Sequence, residues 1–134
     1  MEEQKIGSLR FKLDFSQPLY EQILDQVRSV IAKGEIELGT KMPSVRELAL
    51  ELRVNPNTVM RAYQELERDG LTEKRRGQGT YVTSSAERVQ RFRSELASRY
   101  MDSFVEQMAS LGIPLGEIQD YLSKKYPNES GGTR

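Results

Sequence analysis

The chain has 134 residues, with 20 basic and 20 acidic side chains and no histidine or cysteine. That length holds one domain with a real core plus an appendage, and a formal charge of zero argues neither for nucleic acid nor for an acidic substrate, so a case for either must rest on local arrangement. The missing residue types exclude thiol nucleophiles, imidazole bases and the commonest soft metal ligands, so no catalytic residue, metal site or cofactor is expected.

The start, Met1-Glu2-Glu3-Gln4-Lys5, lacks the apolar centre of a signal peptide, and no stretch is long and apolar enough to span a bilayer. The expectation is a cytoplasmic protein with no membrane partner. Leu9, Phe11, Leu13 and Phe15 alternate with polar residues, the pattern of a strand or an extended arm, although no partner strand is evident. From Pro18 the period changes: Leu19, Ile23, Val27, Val30 and Ile31 recur at helical spacing, predicting a first helix over 18–33 that Gly34 ends. The loop that follows reaches Pro43, with one short strand expected near Lys41.

Ser44 and Glu47 then form a capping box, which starts a second helix over 45–51. After Leu52-Arg53-Val54, Asn55 provides a cap and Pro56 a first helical residue, so a third helix should run to Asp69 and stop at Gly70. Two short helices joined by a three-residue turn, with Leu48, Ala49, Leu52, Val54, Val59, Ala62 and Leu66 facing inward, have the pattern of a helix-turn-helix. If Val59, Ala62, Tyr63 and Leu66 are buried, Asn57, Arg61, Gln64 and Arg68 share the opposite face, which is expected to offer only donors and acceptors. Asn and Gln pair bidentately with adenine and Arg with guanine in the major groove, and such helices read bases mainly from their first turns. Asn57, Thr58 and Arg61 therefore stand ahead of Gln64 and Arg68. Arg46, in the first turn of the second helix, points to the same groove or its phosphate rim.

Leu71–Lys74 and Thr80–Thr83 predict a hairpin whose tip, Arg75-Arg76-Gly77-Gln78-Gly79, is basic and glycine-rich. Arg75, Arg76 and Gln78 would bind phosphate and so position rather than specify. Past a Ser84-Ser85 hinge, Val89, Phe92, Leu96, Tyr100, Phe104, Met108 and Leu111 form one apolar stripe on a long helix. A shorter helix after Pro114 carries Leu115, Ile118, Tyr121 and Leu122, and residues 128–134 are expected to be a disordered tail. Two such helices cannot bury their own stripes, so a homodimer seam through Val89, Phe92, Leu96, Tyr100, Phe104, Met108, Leu111, Ile118 and Leu122 is expected. Packing of the stripe back onto the same chain is the alternative. Tyr100, Phe104, Met108 and Tyr121 suit either a packed seam or the border of a small apolar pocket, and the sequence identifies no small-molecule effector.

The runs Pro43-Ser44-Val45-Arg46-Glu47-Leu48-Ala49, Val54-Asn55-Pro56-Asn57-Thr58-Val59, Arg61-Ala62-Tyr63, Leu66-Glu67, Asp69-Gly70 and Arg76-Gly77-Gln78-Gly79-Thr80-Tyr81-Val82 resemble the GntR family of bacterial transcription regulators across residues 17 to 83. The Asn-Pro-Asn-Thr run and the short segment after the hairpin resemble its YtrA-type subgroup, whose members are repressors with a two-helix dimerisation tail. The resemblance implies DNA contacts by Arg46, by Asn57 and Thr58, and by Gly77. Better-known members carry recognition-helix arginines where this chain has Pro56 and Met60, so those two contacts do not transfer. The effector domains of other subgroups, of a hundred residues or more, have no room here.

The combined expectation is a mainly α fold with a small β wing: a winged helix-turn-helix with an N-terminal arm over 1–84 and a two-helix dimerisation segment over 85–127. The expected function is that of a dimeric repressor, not an enzyme, that binds double-stranded DNA at a palindromic operator through Ser44, Arg46, Asn57, Thr58, Arg61, Gln64, Arg75, Arg76, Gly77 and Gln78. Read singly, these residues have plainer roles: Ser44, Glu47 and Asn55 as caps, Tyr63 and Tyr81 as packing, the polar ridge as a solvated helix face, the glycines as turn residues. A winged-helix module that binds only protein is the competing function, and a carboxylate-only hydrolase fails because nothing would enclose a cleft.

Overall fold

The protein is described from a computed structural model covering residues 2–128. It is mostly helical, with strands β1 (Glu3–Ile6) and β2 (Leu9–Lys12), helices α1 (Tyr20–Ala32), α2 (Val45–Leu52) and α3 (Pro56–Arg68), strands β3 (Thr72–Arg75) and β4 (Gly79–Val82), and helices α4 (Ala86–Ser110) and α5 (Leu115–Lys125). The described residues divide into two compact units, one ending at Ser94 and one beginning at Glu95.

In the first unit the N-terminal segment is a hairpin rather than a lone arm, for β1 pairs antiparallel with β2 from Glu3↔Lys12 to Ile6↔Leu9. Leu9, Phe11 and Leu13 are buried, whereas Phe15, expected to continue the alternation, is exposed because the strand ends at Lys12. The Gln26 side chain fastens β2 to α1, accepting from the Lys12 amide at 2.7 Å and donating to its carbonyl at 2.8 Å. Ile23, Leu24, Val27 and Ile31 of α1 are buried, as are Leu48, Ala49 and Leu52 of α2 and Val59, Ala62, Tyr63 and Leu66 of α3. Core burial of this kind, not helix propensity, holds helices as short as α2.

Local sequence fixes the helix ends. The Ser44 hydroxyl accepts from the Glu47 amide at 3.0 Å while the Glu47 carboxylate accepts from the Ser44 amide at 2.9 Å, and Asn55 Oδ1 accepts from the Asn57 amide at 2.8 Å ahead of Pro56. Arg53 closes α2 with φ of 61°, a left-handed conformation that costs an L-residue about 1–2 kcal/mol and gives the sharp turn into α3.

Arg28 of α1 binds Asp69, the C-cap of α3, through both guanidinium edges, Nε to Oδ2 at 2.8 Å and Nη2 to Oδ1 at 3.2 Å, and lies 5.8 Å from the Phe92 ring centroid. The two side chains are only 21% and 15% exposed, so the bond is largely withdrawn from water. Arg28→Ala is expected to lower unfolding stability by about 2–3 kcal/mol, the range for a hydrogen-bonded charge whose partner is left uncompensated. Urea denaturation checks this, and an unchanged midpoint would contradict it.

The wing pairs β3 with β4 from Thr72↔Val82 to Arg75↔Gly79. The expected strand near Lys41 is a single bridge from Lys41 to Tyr81, flanked by amide hydrogen bonds from Met42 to Thr80 and from Val82 to Thr40. At the tip the Gln78 amide donates to the Arg75 carbonyl at 2.8 Å, and Gly77 at the third turn position has φ of 73°, a value that favours glycine.

The second unit comprises the distal part of α4 and α5. The Ile113 amide donates to the Met108 carbonyl around Gly112, and Pro114 precedes α5. Ile118 is buried and Met108 half-buried, while Tyr100, Phe104, Leu111 and Leu122 are exposed. Residues 129–134, most of the tail expected to be disordered, lie outside the described residues.

Candidate nucleic-acid interface

Recognition by a helix-turn-helix requires a helix whose first turns are exposed, polar and rigidly held. In α3 the buried stripe of Val59, Ala62, Tyr63 and Leu66 leaves Asn57, Arg61 and Gln64 exposed and Thr58 half-buried. The face is not wholly polar, because Met60 is 42% exposed beside Arg61. The helical period places Met60 off the apolar stripe, and its thioether adds no strong donor or acceptor to the ridge. Met60 belongs among the candidate contact residues, since apolar side chains can meet the thymine methyl in the major groove.

Tyr63 locks α3 to the start of α2, its buried hydroxyl donating to the Pro43 carbonyl at 2.6 Å. Burial, reinforced by the nearby Glu47 carboxylate, raises the Tyr63 pKa well above its ordinary value, so the hydroxyl stays a donor throughout the neutral range. Pro43 lies between the Lys41–Tyr81 bridge and the Ser44 cap. The wing, the α2 start and α3 are thereby joined through four consecutive residues, 41–44. Tyr63→Phe should cost about 1–2 kcal/mol, because it orphans a carbonyl within the fold. A denaturation midpoint equal to wild type would show that the bond holds nothing.

The arginines fall into two groups according to what their N–H groups already do. Arg28 binds Asp69, Arg68 binds Glu65 at 2.6 Å, and Arg93 donates to the Ala32 carbonyl at 2.8 Å. Arg68, on the polar ridge by period, is thus held to its own helix. Arg46 and Arg76 are exposed and, among the described residues, have no protein hydrogen bond or ion pair. Arg61 has only the face of its guanidinium engaged, its Cζ lying 4.0 Å from the Tyr20 ring centroid. Arg75 stacks likewise at 4.0 Å on Tyr81, with edge contacts of 3.5 Å to Ser84 and 4.0 Å to Glu73.

Several acids of this unit are engaged in the opposite sense: Glu47 in the capping box, Asp69 with Arg28 and Glu65 with Arg68. Glu73 accepts from the Thr83 hydroxyl at 2.9 Å and the Ser84 amide at 3.2 Å, and these bonds lower its pKa, so it is charged at neutral pH and ties the end of the wing to the start of α4. A chain of zero net charge therefore still presents uncommitted cationic donors at the α2 start, on α3 and at the wing tip. Of the remaining sequence candidates, Ser44 caps α2, and Gly77 and Gln78 are exposed at the wing tip.

Of the side chains expected in a dimer seam, Val89 and Phe92 are buried within the first unit. The apolar stripe is continuous in sequence, but its first two members already have partners there. Leu96 is half-buried, Leu115 and Tyr121 of the shorter helix are exposed, and exposed Met101, Val105 and Tyr126 widen the apolar surface of the second unit beyond the residues named from the sequence.

Residues 19–82 match the family model of bacterial regulatory proteins, gntR family. The helix-turn-helix regulator YhcF of Bacillus subtilis is 44% identical over 77% of this chain and 85% of its own length. The chain belongs to the GntR family. The transcriptional repressor YtrA of the same organism is 36% identical over 89% of this chain and 92% of its own length, which puts the protein in the YtrA-type subgroup of GntR regulators. A solved GntR regulator from Listeria monocytogenes, 38% identical, superposes with a TM-score of 0.73 over 84% of this chain and 98% of that one. These GntR relatives are transcriptional regulators, and the fold is the GntR winged helix-turn-helix with a helical C-terminal part. Among the described residues no helix is long and apolar enough to cross a membrane, and no cluster of three acidic, cysteine or histidine side chains is arranged to hold a metal ion.

Proposed function

We propose that this protein is a sequence-specific DNA-binding repressor that acts as a homodimer on a palindromic operator and carries out no catalysis. The observation that supports DNA reading most is the set of uncommitted donors on Arg46, Arg61 and Arg76, in a unit where Glu47, Glu65 and Asp69 are engaged in structural bonds. Arg46 and the first turns of α3, Asn57, Thr58, Met60, Arg61 and Gln64, enter the major groove. The wing tip, Arg75, Arg76, Gly77 and Gln78, lies along phosphate.

Dimerisation is supported by the second unit, where Tyr100, Phe104, Leu111, Leu122 and their apolar neighbours remain exposed. Exposed apolar side chains concentrated on so small a unit mark an association surface. A palindromic operator follows from two-fold symmetry, since each protomer reads one half-site. Repression accords with the name of the YtrA relative, and cytoplasmic location with a DNA target. The unit boundary assigned to function stays near Ser84-Ser85, where α4 begins.

The test is a mobility-shift titration of the full chain against duplexes it has selected from a random pool, run at two salt concentrations. Selected duplexes should bind about a thousandfold or more tighter than random ones, and both affinities should fall with salt as counterions are released. Equal affinity for selected and random DNA would rule out sequence reading, and no binding at low salt would leave the winged helix as a protein-interaction module.

A further inference from the structure

We propose that Tyr20 is a positioning residue for base reading: its ring carries the Arg61 guanidinium and sets how sharply Arg61 discriminates its base pair. The inference rests on the DNA-reading surface proposed above. Tyr20 belongs to neither helix of the helix-turn-helix. It is the first residue of α1, and Arg61 lies in the second turn of α3, yet the guanidinium carbon sits 4.0 Å from the ring centroid.

Stacking is the one restraint that fixes an arginine without using its donors. The ring meets the guanidinium face, and the N–H groups, which lie in the guanidinium plane, stay free at its edge. The ion pairs of Arg28 and Arg68 do the reverse, fixing the side chain by occupying that edge. A long exposed side chain held in advance loses less conformational freedom when it meets a base, and a flat group held in one plane can pair bidentately with fewer wrong bases.

The platform is itself held. The Gln22 side chain donates to the Pro18 carbonyl at 2.8 Å and to the Asp14 carbonyl at 2.9 Å, and accepts from the Asp14 amide at 2.8 Å, which fixes the entry into α1. Ile23 and Leu24, directly after it, are buried in the core. The backbone that carries the Tyr20 ring is therefore held, which limits how far the ring can follow Arg61. Arg75 on Tyr81 repeats the arrangement in the wing at the same distance, but that guanidinium also has edge contacts within its own hairpin and is less available.

The experiment uses the full chain and a duplex it has selected, with Tyr20→Leu, Tyr20→Phe, Arg61→Ala and the Tyr20→Leu/Arg61→Ala double variant, each titrated on the selected duplex and on versions altered one base pair at a time. Tyr20→Leu should weaken the selected duplex about two- to fivefold, the scale of an exposed cation–π contact. The loss should be concentrated at the base pair that Arg61→Ala also stops discriminating. Tyr20→Phe, which keeps the ring, should restore wild-type discrimination, and Tyr20→Leu should add nothing when Arg61 is already alanine. Tyr20→Leu equal to wild type would overturn the proposal, as would a loss of the same size in the Arg61→Ala background, which would mark Tyr20 as merely structural. A wild-type protein that prefers no duplex removes the DNA reading itself and the proposal with it.

Discussion

Phe104→Glu is expected to turn a dimer into a monomer and to weaken binding to a two-half-site duplex by about a hundredfold or more. Phe104 is 45% exposed one helical turn beyond Tyr100, within the apolar surface of the second unit. Its partner in a dimer would be the same surface of a second copy, so the substitution places two carboxylates in a desolvated seam. An unpaired buried charge costs several kcal/mol, more than a standard small interface can absorb. Losing the second reading head then removes the effective-concentration gain, commonly about 10²–10⁴-fold. Sedimentation equilibrium gives the mass and a mobility shift the affinity. A variant that stays dimeric would show that the seam lies elsewhere. A monomeric variant that binds the full duplex as tightly as wild type would show that one head suffices.

The second large effect separates two arginines that look alike in sequence. Arg46→Ala should cost about 1–3 kcal/mol on the selected duplex, the worth of one bidentate base pair contact, and should relax discrimination at one position in each half-site. Arg76→Ala should weaken selected and random duplexes alike and lower the salt slope by about one. The distinction rests on place. Arg46 projects from the first turn of α2, held by the Ser44–Glu47 box and by Tyr63 on Pro43, whereas Arg76 sits on a hairpin turn. Binding curves at three salt concentrations measure both quantities. Equal losses on random DNA for the two variants would refute the division.

Features that depend on neighbours in the chain are legible in the sequence. The Ser44–Glu47 box, Asn55-Pro56, the stop at Gly70 and the helical stripe of α3 are local chemistry, and they give the helix-turn-helix directly. The wing is legible too, because its glycines mark the tip. Features that depend on distant residues are not. Arg28 and Asp69 are 41 residues apart, and nothing local to either announces the other. Glu3–Ile6 carries no strand signal of its own, because three of its four residues are polar and its apolar partners lie in β2.

The α4 stripe shows a different limit. Periodicity says that Val89, Phe92, Tyr100 and Phe104 face one way, but it cannot say what covers each, and the first two are buried within the first unit. On α3 both the apolar stripe and the exposure of Met60 follow from spacing, but a lone thioether among polar side chains does not announce a contact. Arg68 shares the ridge of readers by period, although Glu65, three residues earlier on the same helix, is an available partner by spacing alone. Arg61 on Tyr20 has no signal, since the stack joins the first residue of one helix to the middle of another.

Hydrogen–deuterium exchange of the full chain, with and without a selected duplex, tests most directly whether α2, α3 and the wing tip together form the face that meets DNA. Protection on binding is expected at residues 44–47, 55–61 and 76–78, with the exposed surface of α5 unchanged. Protection confined to residues 95–125, with the recognition helix and wing exchanging as they do without DNA, would contradict the account.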